Sequence, residues 1–256
     1  MKFDFENLRI IGFETYLEDY LQNKNLNDFN HWLYGPCDNY NNIKEISPLI
    51  NEEIFRKSAC IKKYYDSNEQ KYIDINDTQF KWPYIEHGTI NFTTKFYSIL
   101  VEKCEKETLN QIFNDKRECK NDTRFEDILN NGFINFYFID QDIQNDYNSE
   151  HIKKYHNRIE SKLNKNSYIV NHLYFNPMFL LTQYNGFIKS KIVTNYTFSL
   201  DRNDIYINNQ NKENNIYMGY YLWLNKRMNY YSIEYMTLSE AISNIGGISN
   251  VIISIY

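Results

Sequence analysis

A chain of 256 residues with 24 Tyr, 17 Phe and a net charge of −5 has room for one large domain or two small ones and is too aromatic to be disordered. Its basic residues form no stripe, which removes the electrostatic footprint of a nucleic-acid binder. Its 8 glycines leave little room for phosphate-cradling loops. The 37 Asn and two Ala (Ala59, Ala241) follow AT-rich codon usage rather than function.

Residues 1–34 hold Leu8, Ile11, Phe13, Tyr16, Leu17 and Tyr20, a spacing that suits either an amphipathic helix or a short pair of strands. They carry Asp4, Glu6 and Glu14 and no apolar h-region, so they do not read as a secretory signal. Gly35-Pro36 is a break, residues 38–52 read as loop, and Ile50 to Lys57 suits a short helix. Thr89 to Cys104 is β-branched and aromatic and predicts a strand. Short helices are expected around Leu109, Ile112 and Phe113, and from Arg124 to Leu129. Asn131-Gly132 then opens an apolar run from Phe133 to Ile139.

Gln141 to Ser167 has no apolar patch and reads as a long loop with one exposed helix. Strands are expected at 168–175, 187–200, 205–208 and 216–224, with turns at Asn176-Pro177, Asn185-Gly186, Arg202-Asn203-Asp204 and 209–214. The sum is an α+β chain: a β-rich single domain, 1–236, with peripheral helices, followed by the start of a C-terminal helix, 237–256.

Catalytic signatures are absent. There is no G-x-S-x-G, no P-loop and no G-x-G-x-x-G. His151 and His156 lie at i, i+5, off the i, i+4 spacing that puts two metal ligands on one helix face. Asp140-Gln141-Asp142 is hard-oxygen chemistry for a divalent cation, but it is also how a polar strand exit looks. No cofactor is expected. Cys104 and Cys119 enclose one short loop and Cys37 and Cys60 another. Two disulfides and four free thiols in a reducing compartment are equally compatible with that spacing. Asn76, Asn91, Asn121 and Asn195 open N-x-T sequons, several of which arise by chance in so Asn-rich a chain.

No interior window stays apolar for eighteen residues, so none spans a bilayer. The C-terminal segment Thr237 to Tyr256 turns steadily apolar. Thr237-Leu238-Ser239-Glu240 fits a capping box, with Thr237 as N-cap. A helix from Leu238 places Ile242, Ile245, Ile248, Ile252 and Ile255 on one side and Ser239, Ser243, Gly246, Asn250 and Ser254 on another. Such a stripe of small residues lets helices approach closely in lipid. An amphipathic helix docked on a β-core has the same pattern.

Gly35-Pro36-Cys37, Ser58-Ala59-Cys60, the strand-then-cysteine stretch Phe96 to Cys104 with Cys119, the run Phe133 to Asp140 and above all Tyr235 to Ile248 together resemble a family of ciliate two-span membrane proteins. That resemblance implies an extracytoplasmic β-rich domain, an anchor beginning near Leu238 and an earlier span outside this chain. The C-terminal segment is also similar to the stretch before the second span of the epithelial sodium/acid-sensing channel superfamily, whose animal members have many more cysteines. This implies channel-like assembly.

The expected function is therefore that of a non-enzymatic ectodomain, stapled at Cys104–Cys119 and Cys37–Cys60, glycosylated, held to the membrane by its C-terminal helix and acting by binding or oligomer assembly. It would lie on the extracytoplasmic face and have no nucleic-acid partner. The competing expectation is a soluble cytosolic protein, either an enzyme with an acidic site near Asp140 and Asp142 or a structural subunit of a larger assembly.

Overall fold

A computed structural model of the chain describes residues 8–16, 30–37, 55, 58–81, 83, 95–113, 117–120, 123–144, 151–185, 190–209, 216–236, 240 and 242–245. Strand dominates among them. In chain order the elements are β1 (Leu8–Tyr16), β2 (His31–Pro36), β3 (Ala59–Asp66), β4 (Lys71–Asp74), β5 (Lys95–Lys103), α1 (Lys106–Phe113) and α2 (Thr123–Asn131). They continue with β6 (Phe133–Ile143), β7 (Ile152–Lys162), β8 (Ser167–Asn185), β9 (Ser190–Asn209), β10 (Ile216–Leu224) and β11 (Asn229–Tyr235). The chain divides into a larger unit, Met1–Ile139, His156–Phe175 and Leu200–Asn225, and a smaller one, Asp140–Tyr155, Asn176–Ser199 and Lys226–Tyr256.

In the larger unit, β5 is the central strand. It pairs antiparallel with β1, Ile11 opposite Leu100, and with β10, Tyr220 opposite Ile99. From Lys95 to Glu102 every β5 residue is buried. This is why the part Phe96 to Val101 of the β-branched and aromatic stretch shows no alternation of polar with apolar residues: a strand covered on both faces loses its polar-out half. Beyond β1 the sheet continues through β2, β3 and β4 by antiparallel pairing, and beyond β10 through the first half of β8, which runs parallel to it.

Of residues 1–34, the described parts 8–16 and 31–34 are strand, and β1 and β2 pair with each other, Gly12 opposite Trp32; Leu17 and Tyr20 lie outside the described residues. Gly12 is needed there. A Cβ at this position would lie 2.0 Å from the Tyr97 hydroxyl oxygen, which hydrogen-bonds Tyr34 Oη at 2.9 Å.

One face of this sheet buries Trp32, Tyr64, Tyr97, Val101, Leu173 and Tyr220 against Phe125, Ile128 and Leu129 of α2. These three helix residues sit at i, i+3 and i+4, the period of an amphipathic helix face. α2 stops at Gly132, whose N–H donates to Ile128 O at 2.7 Å and where a Cβ would meet that same oxygen at 2.3 Å. The opposite face buries Ile11, Phe13, Leu33, Phe96, Leu100, Val170 and Tyr221, with Ile112 of α1 packed on it.

Three expectations are corrected. The stretch Gln141 to Ser167 is not a loop with a helix: β6 runs on through Ile143 and β7 occupies Ile152–Lys162, the two pairing as a ribbon. Most of β7 faces solvent, so its sequence is polar although its backbone is extended. Asn176-Pro177 is not a turn but lies inside β8. Pro177 falls between the last β10 pairing, at Phe175, and the first β11 pairing, at Met178. A strand tolerates a residue with no N–H where no ladder bond is required. Arg202-Asn203-Asp204 is likewise interior to β9.

In the smaller unit, the second half of β8 pairs parallel with β11, from Met178 opposite Asn229 to Tyr184 opposite Tyr235, and β9 also pairs with β8. Met178, Leu180 and Thr182 are buried, while Phe179, Leu181 and Gln183 on the alternate face are partly open. Among the described residues, no helix is long and apolar enough to cross a membrane.

Candidate functional site

All four cysteines pair as Cys37–Cys60 and Cys104–Cys119, with Cα–Cα separations of 5.1 and 5.7 Å. Topology explains both. The pairing of β2 with β3 sets Gly35 opposite Cys60 and Pro36 opposite Ala59, so Cys37, the residue after β2, reaches Cys60. Cys104 follows β5 directly, and α1 turns the chain back toward Cys119.

Beside that second bridge lies a half-buried ion cluster. Arg9 Nε donates to Glu102 at 2.6 Å, and the Arg9 guanidinium also bonds Glu105 and, at 3.1 Å, Thr108 Oγ1. Burial pushes the Glu102 carboxyl up, and Arg9 opposes that.

The other predicted site residues are spread out. Asn76 is exposed in the turn after β4, and Asn195 is exposed within β9. Asn91 and Asn121 lie outside the described residues. Of the helix stripe, Ser243 is helical and exposed, while Ser239, Gly246, Asn250 and Ser254 lie outside. Asp140 is partly buried and accepts the N–H of Gln141 at 3.0 Å, and Asp142 is exposed. No group of three or more His, Cys, Asp or Glu among the described residues could hold a metal ion.

The structure instead assembles two aromatic clusters, one largely buried and one exposed. In the larger unit, rings from adjacent strands stack in a ladder. Phe96 of β5 lies 4.2 Å from Trp223 of β10, and His172 and Tyr174 of β8 lie nearly parallel to Trp223 at 6.0 and 6.4 Å. Arg202 of β9 places its guanidinium 4.3 Å from the Tyr174 ring centre, a cation–π contact. Cross-strand neighbours on one face are close enough for such stacking.

Trp223 Nε1 donates to His172 Nδ1 at 3.0 Å. Indole is only a donor, so His172 carries its proton on Nε2. Burial holds the His172 pKa below 6.5, partly offset by Asp204. The ladder is therefore built around a neutral imidazole.

In the smaller unit, Phe179 of β8 touches both Tyr196 of β9, at 5.0 Å, and Tyr230 of β11, at 5.6 Å. Period two places Ile192 and Phe198 on the same side of β9 as Tyr196, and both are exposed. Between them Thr197 is buried. At Tyr196–Thr197–Phe198 the two rings therefore face out and the threonine between them faces in. Tyr235 Oη lies 2.7 Å from His151 Nε2 and its ring stacks on Tyr184.

None of the ladder or face residues was singled out by motif, because their partners are strands apart in sequence. The alternating Ile192, Tyr196 and Phe198 were legible, but the sequence does not say which side of the strand faces water. No family model, curated protein or solved structure matches the chain.

Proposed function

We propose that the chain is a non-enzymatic extracytoplasmic module of α+β class, glycosylated and held at a membrane by a helix beginning near Leu238, that works by binding or by oligomer assembly. The observation that carries this reading is the pairing of all four cysteines, since such bridges form and persist in oxidising compartments. The exposed rings of Tyr196, Phe198 and Tyr230 support a binding role, because aromatic side chains supply much of the contact energy at interfaces. Asn76 and Asn195 are exposed acceptors. The resemblance to two-span ciliate proteins and, more distantly, to the sodium/acid-sensing channel superfamily favours assembly around a membrane path.

The test is fractionation of the native gene product. It is expected to stay with membranes through alkaline carbonate extraction and to yield glycan-bearing peptides at Asn76 or Asn195. Recovery as a soluble protein with unmodified asparagines would replace this reading with the cytosolic one.

A further inference from the structure

Of the described strands, β9 pairs only with β8. One of its two hydrogen-bonding edges therefore has no strand against it among the described residues. Where β9 runs through the larger unit, Ile205, Tyr206 and Ile207 are 56, 52 and 70 % exposed, and Asn208 is exposed as well. Consecutive residues of a strand point to opposite faces, so neither face is covered here. Edge strands are ordinarily blunted by charged side chains or proline. Ile205 to Asn208 has neither, and its β-branched and aromatic residues favour extended pairing. The charges just before it, Arg202 and Asp204, pair with each other at 3.3 Å.

We infer that this segment pairs with itself: Asp204 to Asn208 of one chain forms an antiparallel ladder with Asp204 to Asn208 of a second copy, about a two-fold axis at Tyr206. What an open edge lacks is a row of partners for its N–H and C=O groups, and an extended backbone supplies them in register. The segment is complementary to itself. With Tyr206 on the axis, each Ile205 lies opposite the second copy's Ile207, and such apolar cross-strand pairs stabilise a sheet. Each Asp204 lies opposite Asn208, a carboxylate against an amide donor. An axis at Asp204 would instead set two carboxylates against each other. A two-fold pairing closes at two copies. The inference names a partner for the assembly role proposed above and needs neither the membrane nor the glycans.

The experiment is sedimentation equilibrium of the purified, disulfide-bonded full chain, which is expected to show monomer and dimer in exchange. Ile205→Lys with Ile207→Lys is expected to leave only monomer, with an unchanged circular dichroism spectrum as the folding check. Asn208 tests the register with less risk to folding. Asn208→Asp sets like charges opposite each other in both symmetry-related pairs and is expected to weaken the dimer about tenfold, and Asn208→Lys to tighten it about tenfold. All four native cysteines are bridged, so an added one reports alone. Tyr206→Cys, opposite itself across the axis, is expected to give an oxidised dimer on a non-reducing gel. Ile205→Cys, opposite Ile207, is expected to give far less.

A monomer at every concentration overturns the inference and leaves the membrane and compartment reading to its own test. A dimer that survives the double substitution, that responds to neither change at Asn208, or that cross-links at position 205 rather than 206 overturns it too, because another surface or register then holds the copies together.

Discussion

Two side-chain arrangements connect residue chemistry to measurable behaviour. Glu102 is buried and carries its charge because Arg9 is beside it. Removing one partner of a buried pair leaves the other charge uncompensated. Arg9→Met is expected to cost about 3 kcal/mol at neutral pH in urea unfolding. Burial already raises the Glu102 pKa above 4.5, so in the variant Glu102 takes a proton as pH falls and the cost shrinks toward pH 4.5. A cost independent of pH would contradict this account.

His172 behaves in the opposite sense. Its folded pKa is below the unfolded 6.5, so between the two values the unfolded chain binds more protons and stability rises with pH. The contribution is complete above pH 6.5 and is lost as pH falls through the folded value. Thermal melting from pH 7.5 downward is expected to show a loss that His172→Gln removes, with a change in Trp223 emission as the indole N–H loses its acceptor. The expected pairs Cys104–Cys119 and Cys37–Cys60 are the ones observed, although spacing alone fits thiols and bridges equally. His172 could not be recognised, since its acceptor role depends on Trp223, which only strand pairing brings near.

At the scale of elements, staples and close approaches decide which strands hold. The Cys104–Cys119 bridge closes a loop with a sequence separation of 15, and in the chain-entropy model its loss costs about 3 kcal/mol. Cys104→Ser with Cys119→Ser is expected to lower the urea midpoint, with a steeper slope because the unfolded chain is no longer constrained. An unchanged midpoint would show that the loop ordered by α1 needs no bridge.

Gly12 makes a different demand. Gly12→Ala drives a methyl into Tyr97, an overpacking cost of about 2 kcal/mol. Adding Tyr97→Phe removes the nearest atom, so the double variant is expected to lose less than the sum of the two single ones; strict additivity would contradict the contact.

Strands with two buried faces, β5 and β10, were legible because their composition leaves no alternative. The short α1 and α2 were legible from helical spacing. β7 was not, because ladder bonds rather than burial hold most of it. Nor was the continuity of β8 through Pro177, since the gap between its β10 and β11 pairings lies in the topology. The β3–β4 hairpin carried no apolar alternation to announce it. Its turn rests on Asp66, whose side chain accepts the N–H groups of Asn68 and Glu69 at 3.0 and 3.4 Å, and on Gln70 in the left-handed region at φ 51°.

For the whole molecule, the division of labour follows charge and burial. The larger unit holds both hydrophobic clusters, both disulfides and all of the net charge. The smaller has no net charge and carries most of the exposed large apolar side chains among the described residues. A cytosolic enzyme centred on Asp140 and Asp142 gains no support from geometry in which one carboxylate accepts its neighbour's backbone N–H and the other faces solvent. The central claim is that this polypeptide matures on an oxidising side of a membrane, where the two bridges form. Thiol trapping tests it most directly: cells expressing the native gene are lysed into an alkylating reagent and the chain is weighed before and after reduction. The account predicts no alkylated cysteine before reduction and four after it, while four alkylated cysteines in the unreduced chain would contradict it.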